Sequence, residues 1–166
     1  MTALHVKSLP HLILDATTAE DLMTVNPISI HAGASVQEAL AMLTDRGFSA
    51  APVIDEAGRP VGVLSRTDLL VHQRERGASG QLMDLTDWDT PPHRLHEGFG
   101  VEVVDPARVR DIMTPVVFTV LLDTPVPQVV EQMLALKVHH LFVVDEDRAL
   151  VGVISPLDIL RHLRLE

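Results

Sequence analysis

Two short runs carry the residues whose type and spacing could do chemistry. Ser65-Arg66-Thr67-Asp68 follows the apolar stretch Val61–Leu64, and Ser155-Pro156-Leu157-Asp158 follows Val151–Ile154. A Ser where a strand turns into a helix accepts a hydrogen bond from an amide of the first turn. An Asp three positions later faces the positive end of that helix. Helix capping alone would account for the pair. The same geometry also presents carboxylate oxygens to hydroxyl donors, and a hydroxyl with nearby amides to an anion.

The elements that must position these runs are duplicated. The runs lie 90 residues apart, and sliding residues 21–70 onto 111–160 without a gap matches 13 of 50 positions. Average amino-acid usage would give roughly 3 by chance. Asp21/Asp111, Met23/Met113, Thr24/Thr114, Asp55/Asp145 and Gly62/Gly152 are among the shared pairs. Each copy reads helix, strand, helix, strand, strand, helix. In the first, Thr17 and Glu20 suggest a capping box, Ile28–Ile30 a strand, and Ser35 with Glu38 a second capping box ended by Gly47. Ala51–Ile54 and Val61–Leu64 are paired strands, and the helix after Ser65 is expected to reach about Arg76. In the second copy, Asp105-Pro106 and Thr124-Pro125 are expected helix starts, Phe118–Val120 and Leu141–Val144 strands, and Arg161 and Arg164 the basic end of the last helix. Leu12–Leu14 is a further short strand. The blocks are 1–76, an insert 77–104, and 105–166. Within the insert, Leu82–Trp88 suggests a helical turn or two and Val101–Val104 a strand.

Composition limits the function. Hydrophobic residues make up 46% and aromatics 3%, so the core is aliphatic and its strands are buried on both faces. The absence of Cys excludes disulfides and thiolate metal sites. No apolar run is long enough to span a membrane. Met1–Asp15 lacks the pattern of a signal peptide, which makes a cytoplasmic location the default expectation. A net charge of −10 disfavours nucleic acid and anionic lipid as partners. His72, His93 and His96 do not have metal-site spacing. Catalysis is not expected. There is no P-loop, no nucleophile elbow and no zincin helix, and the insert carboxylates Asp84, Asp87 and Asp89 form no recognisable constellation.

At this point the chain resembles a tandem pair of cystathionine-β-synthase (CBS) domains, a Bateman module. The matching motifs are Asp-Leu-Met-Thr at 21–24, Asp-Ile-Met-Thr at 111–114, Ala-Pro-Val-Ile-Asp at 51–55, His-His-Leu-Phe-Val-Val-Asp at 139–145, and the two Gly-x-x-Ser-x-x-Asp runs. The resemblance implies an α/β (α+β) fold of two repeats related by a pseudo-twofold axis, with clefts between them that bind AMP, ADP, ATP, S-adenosylmethionine or NAD. It also implies a homodimer and a sensing role toward an effector protein. An adenine nucleotide, AMP, ADP or ATP, with or without Mg²⁺, is the expected ligand, with no catalytic cofactor and no metal site. The alternative is a ligand-free dimerisation scaffold.

On that resemblance, Asp68 and Asp158 are expected to accept the ribose hydroxyls, with Ser65 and Ser155 beside the phosphate. Thr24, Ile28, Thr114 and Phe118 would run along the nucleoside wall. Arg66, Lys137, His139 and His140 would meet phosphates. Ala51, Pro52, Leu141 and Phe142 come from the strand between. Pro156 stands where the first copy has Arg66, and Phe142 where it has Pro52, so the two positions cannot be equivalent.

Overall fold

The computed structural model describes residues 11–81 and 105–165. The elements expected at Leu82–Trp88 and Val101–Val104, and His93 and His96, lie outside the described residues. The described elements are β1 (Leu12–Leu14), α1 (Ala19–Leu22), β2 (Thr24–Val25), β3 (Ile30–His31), α2 (Val36–Asp45), β4 (Ala50–Ile54), β5 (Pro60–Ser65) and α3 (Arg66–Gln81). Then come α4 (Val109–Ile112), β6 (Thr119–Leu121), α5 (Val126–Leu136), β7 (Leu141–Val144), β8 (Leu150–Ile154), α6 (Pro156–Arg161) and β9 (Leu163–Leu165). This is a mixed α/β fold of sheets with flanking helices.

Two compact units form, and they do not follow the blocks of the duplication. One comprises Met1–Pro27, Gly58–Pro60 and Val117–Glu166. The other comprises Ile28–Ala57 and Val61–Val116. Each leading helix and its Asp-x-Met-Thr tail therefore folds with the opposite copy.

In the first unit the sheet order is β2-β8-β7-β6. β2 runs antiparallel to β8, with Thr24 opposite Val153. β8 runs antiparallel to β7, with Phe142 opposite Val153, and β7 parallel to β6, with Phe142 opposite Thr119. Thr24, Val153, Phe142 and Thr119 thus stand in one row on one face. α1 and α5 cover an aliphatic core that includes Leu22, Val129, Leu141, Val143 and Ile154. β1 and β9 form a separate ribbon, with Ile13 opposite Arg164.

In the second unit the sheet is β3-β4-β5. β3 runs parallel to β4, with Ile30 opposite Val53. Thr114 bridges Val63 at the outer side of β5, the place that Thr24 takes beside β8. Pro115 has no amide to donate, so the bridge does not lengthen into a strand as β2 does. Leu43, Val53, Leu64, Leu69 and Val109 are among the core residues.

Four local expectations are corrected. α1 is capped by Thr18 rather than Thr17, because the carboxylate of Asp21 reaches the amides of both (2.8 and 2.9 Å). Asp105 does not start α4: its Oδ1 accepts from the Ala107 amide, and the helix begins at Val109. Thr124 does not cap α5. Its hydroxyl accepts from the Leu121 amide, and Pro125 stands at the helix start. Arg164 is not in the last helix but in β9.

Candidate functional site

In the first unit, Ser155 caps α6. Its Oγ accepts from the Asp158 amide at 3.4 Å, and Asp158 Oδ2 accepts from the Ser155 amide at 2.8 Å and from the Ser155 hydroxyl. The other oxygen, Oδ1, accepts from Thr24 Oγ1 at 3.2 Å and from Arg161 Nη1 at 3.1 Å. Asp158 is only 6% exposed. Burial by itself would raise its pKa. The hydrogen bonds from the side chain and amide of Ser155 and from Thr24, together with the Arg161 charge, outweigh it and hold the carboxyl below its ordinary range. His162 Nδ1 lies 2.8 Å from the Asp158 carbonyl, which can only accept, so that nitrogen carries a proton.

His139 and His140 are solvent-accessible and precede β7. Desolvation and the neighbouring His139 push His140 below the usual imidazole range, while Asp158 pulls it upward. Lys137 holds a left-handed backbone (φ 54°) as the cap of α5. Leu141 is fully buried and Phe142 is 4% exposed. Phe118 is half-buried, packs against the core, and its carbonyl accepts the Phe142 amide at 2.9 Å.

In the second unit, Ser65 and Asp68 repeat the cap. Asp68 Oδ2 accepts from the amide and hydroxyl of Ser65, both at 2.7 Å, and Ser65 Oγ accepts from the Asp68 amide at 3.3 Å. Oδ1 of Asp68 meets no donor among the described residues. Thr114 lies one strand away through its pairing with Val63 (2.9 and 3.0 Å). Ala51 is buried, Pro52 half-buried and Ile28 exposed. Arg66 is not aimed at Asp68. Its Nη2 donates to the Leu43 carbonyl at 3.2 Å, in the last turn of α2, and its amide donates to Ser49 O.

A glycine admits the Asp-x-Met-Thr tail in each unit. A Cβ on Gly152 would overlap Met23 Sδ, and one on Gly62 would lie 2.6 Å from Met113 Sδ and 2.8 Å from the Thr114 carbonyl. The methionines seat the two threonines rather than stand free.

The structure thus brings Thr24, Ser155 and Asp158 together in one unit, and Thr114, Ser65 and Asp68 in the other. The sequence reading missed Arg161 as a partner of Asp158, although the i, i+3 spacing on a helix is the signal for such a pair. It also missed Asp105, whose Oδ2 lies 2.7 Å from both His72 Nε2 and Arg76 Nη1. Among the described residues no cluster of His, Asp and Glu could hold a metal ion, and no helix is long and apolar enough to cross a membrane.

A protein-family model described as the CBS domain matches residues 19–75 and 109–165. The chain is 31% identical over 132 residues to the gamma-3 subunit of 5'-AMP-activated protein kinase from Bos taurus, covering 80% of this chain and 23% of that subunit. It is similar to the crystal structure of CBSX2 in complex with AMP, at 28% identity and a TM-score of 0.61, over 88% of this chain and 95% of that one. It is also similar to the cytosolic domain of the Mg²⁺ channel MgtE in complex with ATP, at 28% identity and a TM-score of 0.61, over 89% of this chain and 49% of that one. The chain spans 22 to 25% of the length of the first curated relatives it matches.

Proposed function

The chain belongs to the CBS-domain family, and from that premise we propose that it is a regulatory module that binds an adenosine-containing ligand of the AMP, ADP or ATP class. The observation that carries this reading is the Asp68 carboxylate. Ser65 holds one oxygen, and the other meets no donor among the described residues. A carboxylate fixed in this way suits the two vicinal hydroxyls of a ribose. Thr114, on the neighbouring bridge, and Ile28, Ala51 and Pro52 line the nucleoside in this reading. The AMP in the CBSX2 structure and the ATP in the MgtE structure support the choice of ligand class.

The chain acts in this reading by ligand occupancy rather than by catalysis, as a homodimer that reports to an effector protein, in the cytoplasm. Isothermal titration calorimetry with AMP, ADP, ATP and S-adenosylmethionine tests it. Binding to at least one of these, lost in Asp68→Asn, is expected. Silence toward all four at millimolar ligand rejects the reading. The ligand-free scaffold is favoured by one observation, the fully engaged carboxylate of Asp158, and that applies to one unit alone.

A further inference from the structure

We infer that this chain takes one nucleotide rather than two, and that Arg161 is the latch that closes the second position. The inference rests on the nucleotide reading above and specifies its stoichiometry and control.

An ionised carboxylate offers about four lone-pair positions. In Asp158 all four have donors: the amide and hydroxyl of Ser155 on Oδ2, and Thr24 and Arg161 on Oδ1. A ribose diol arriving there would find no acceptor without displacing one of them. In Asp68 the amide and hydroxyl of Ser65 take Oδ2, and the two positions on Oδ1 meet no donor among the described residues. Two adjacent hydroxyls need those two positions.

The difference is written in the sequence. Ninety residues before Arg161 stands Val71, which has no donor. The Thr24 hydroxyl reaches Asp158, whereas no bond joins Thr114 to Asp68 among the described residues. A second observation points the same way. Phe142 stands in the row of Val153 and Thr24 and is 4% exposed. Its counterpart Pro52 is smaller and half-buried. The second position therefore has its acceptor engaged and a ring on the same sheet face.

Arg161 is the movable member of this arrangement. Its side chain is 62% exposed while that of Asp158 is 8% exposed. Removing the guanidinium frees a lone-pair position on Oδ1 without opening the core, and the Thr24 hydroxyl, being an acceptor as well as a donor, can turn toward an incoming hydroxyl. Arg161→Val copies the residue of the first position.

Calorimetry with AMP, and with ATP in parallel, is performed on the full chain and its variants. The wild type is expected to bind one nucleotide per chain and Asp68→Asn none. Arg161→Val is expected to bind two, and the double variant one. Because Arg161 is exposed, its variant tests the latch even if substitutions at the carboxylates unfold the protein, and circular dichroism verifies its fold. Two nucleotides per wild-type chain, or one per chain in folded Arg161→Val, overturns the latch and leaves the nucleotide reading standing. No binding of either nucleotide to the wild type overturns both.

Discussion

Met23 Sδ occupies the space over Gly152 so closely that an added Cβ would overlap it. The same contact recurs between Met113 and Gly62, where the Thr114 carbonyl also lies 2.8 Å from such a Cβ. Gly152→Ala and Gly62→Ala are both expected to destabilise the protein by about 1–3 kcal/mol, the usual cost of overpacking. Met23→Ala removes the sulfur, so it should partly relieve Gly152→Ala in a double-mutant cycle. Met113→Ala should not relieve Gly62→Ala to the same degree, because a backbone carbonyl remains in the way. Urea denaturation midpoints decide between these outcomes.

Asp158→Ala is expected to cost about 2–4 kcal/mol. It removes a helix cap and leaves the donors of Ser155 and Thr24 without their acceptor. Asp68→Ala, at a half-exposed site with the cap alone to lose, should cost about 1 kcal/mol. Chemical denaturation at neutral pH compares the two.

The depressed pKa of Asp158 fixes the sign of an acid effect. The group binds its proton less readily in the folded than in the unfolded chain. Its stabilising contribution is complete above its ordinary value of 3.8 and disappears as the pH falls through the lower folded value. Wild type should therefore lose more stability than Asp158→Asn between pH 5 and about pH 2. Equal losses in the two proteins would contradict this account.

Gly47 and Lys137 occupy equivalent positions of the duplication, with φ of 69° and 54°. Gly58 and Arg148 form a second such pair, at 76° and 68°. A left-handed backbone is unfavourable for a residue with a Cβ and open to glycine. Lys137→Gly and Arg148→Gly should each stabilise the fold by about 0.5–1 kcal/mol. A higher thermal midpoint is the expected readout.

Asp105 joins the end of the first sequence copy to the start of the second, through His72 and Arg76 of α3. Burial would raise its pKa, and the bonds from His72 and the Ala107 amide, with the Arg76 charge, bring it below the ordinary value. His72→Ala should shift the Asp105 titration upward, and Arg76→Ala should do so by less, as read by NMR of the side-chain carboxyl. A midpoint unmoved by either substitution would refute the assignment.

The alternation of Ala50–Ile54, the helical stripe from Val36 to Leu43 and the Ser-x-x-Asp caps were all legible, because each follows from local spacing. The helix starts at Thr18 and Val109 were misread by one or more residues, since an Asp can satisfy amides on either side of the position it marks. The exchange of leading helices was not legible. Met23 and Met113 are identical in type, as are Gly62 and Gly152, so no local preference tells which methionine covers which glycine. The unlike state of Asp68 and Asp158 was half legible. Phe142 and Pro156 announce a difference, but a base in the last turn of a helix suits the dipole whether or not it also reaches Asp158, as Arg161 does.

The exchanged segments also set an order of assembly. Residues 28–116 hold nearly everything that the second unit needs, whereas α1 and β2 must wait for β8 and α6. During synthesis the N-terminal strand leaves the ribosome more than a hundred residues ahead of its partner. The first unit closes around a segment made well before its partner strand, so trimming β9 should expose β1 to protease first.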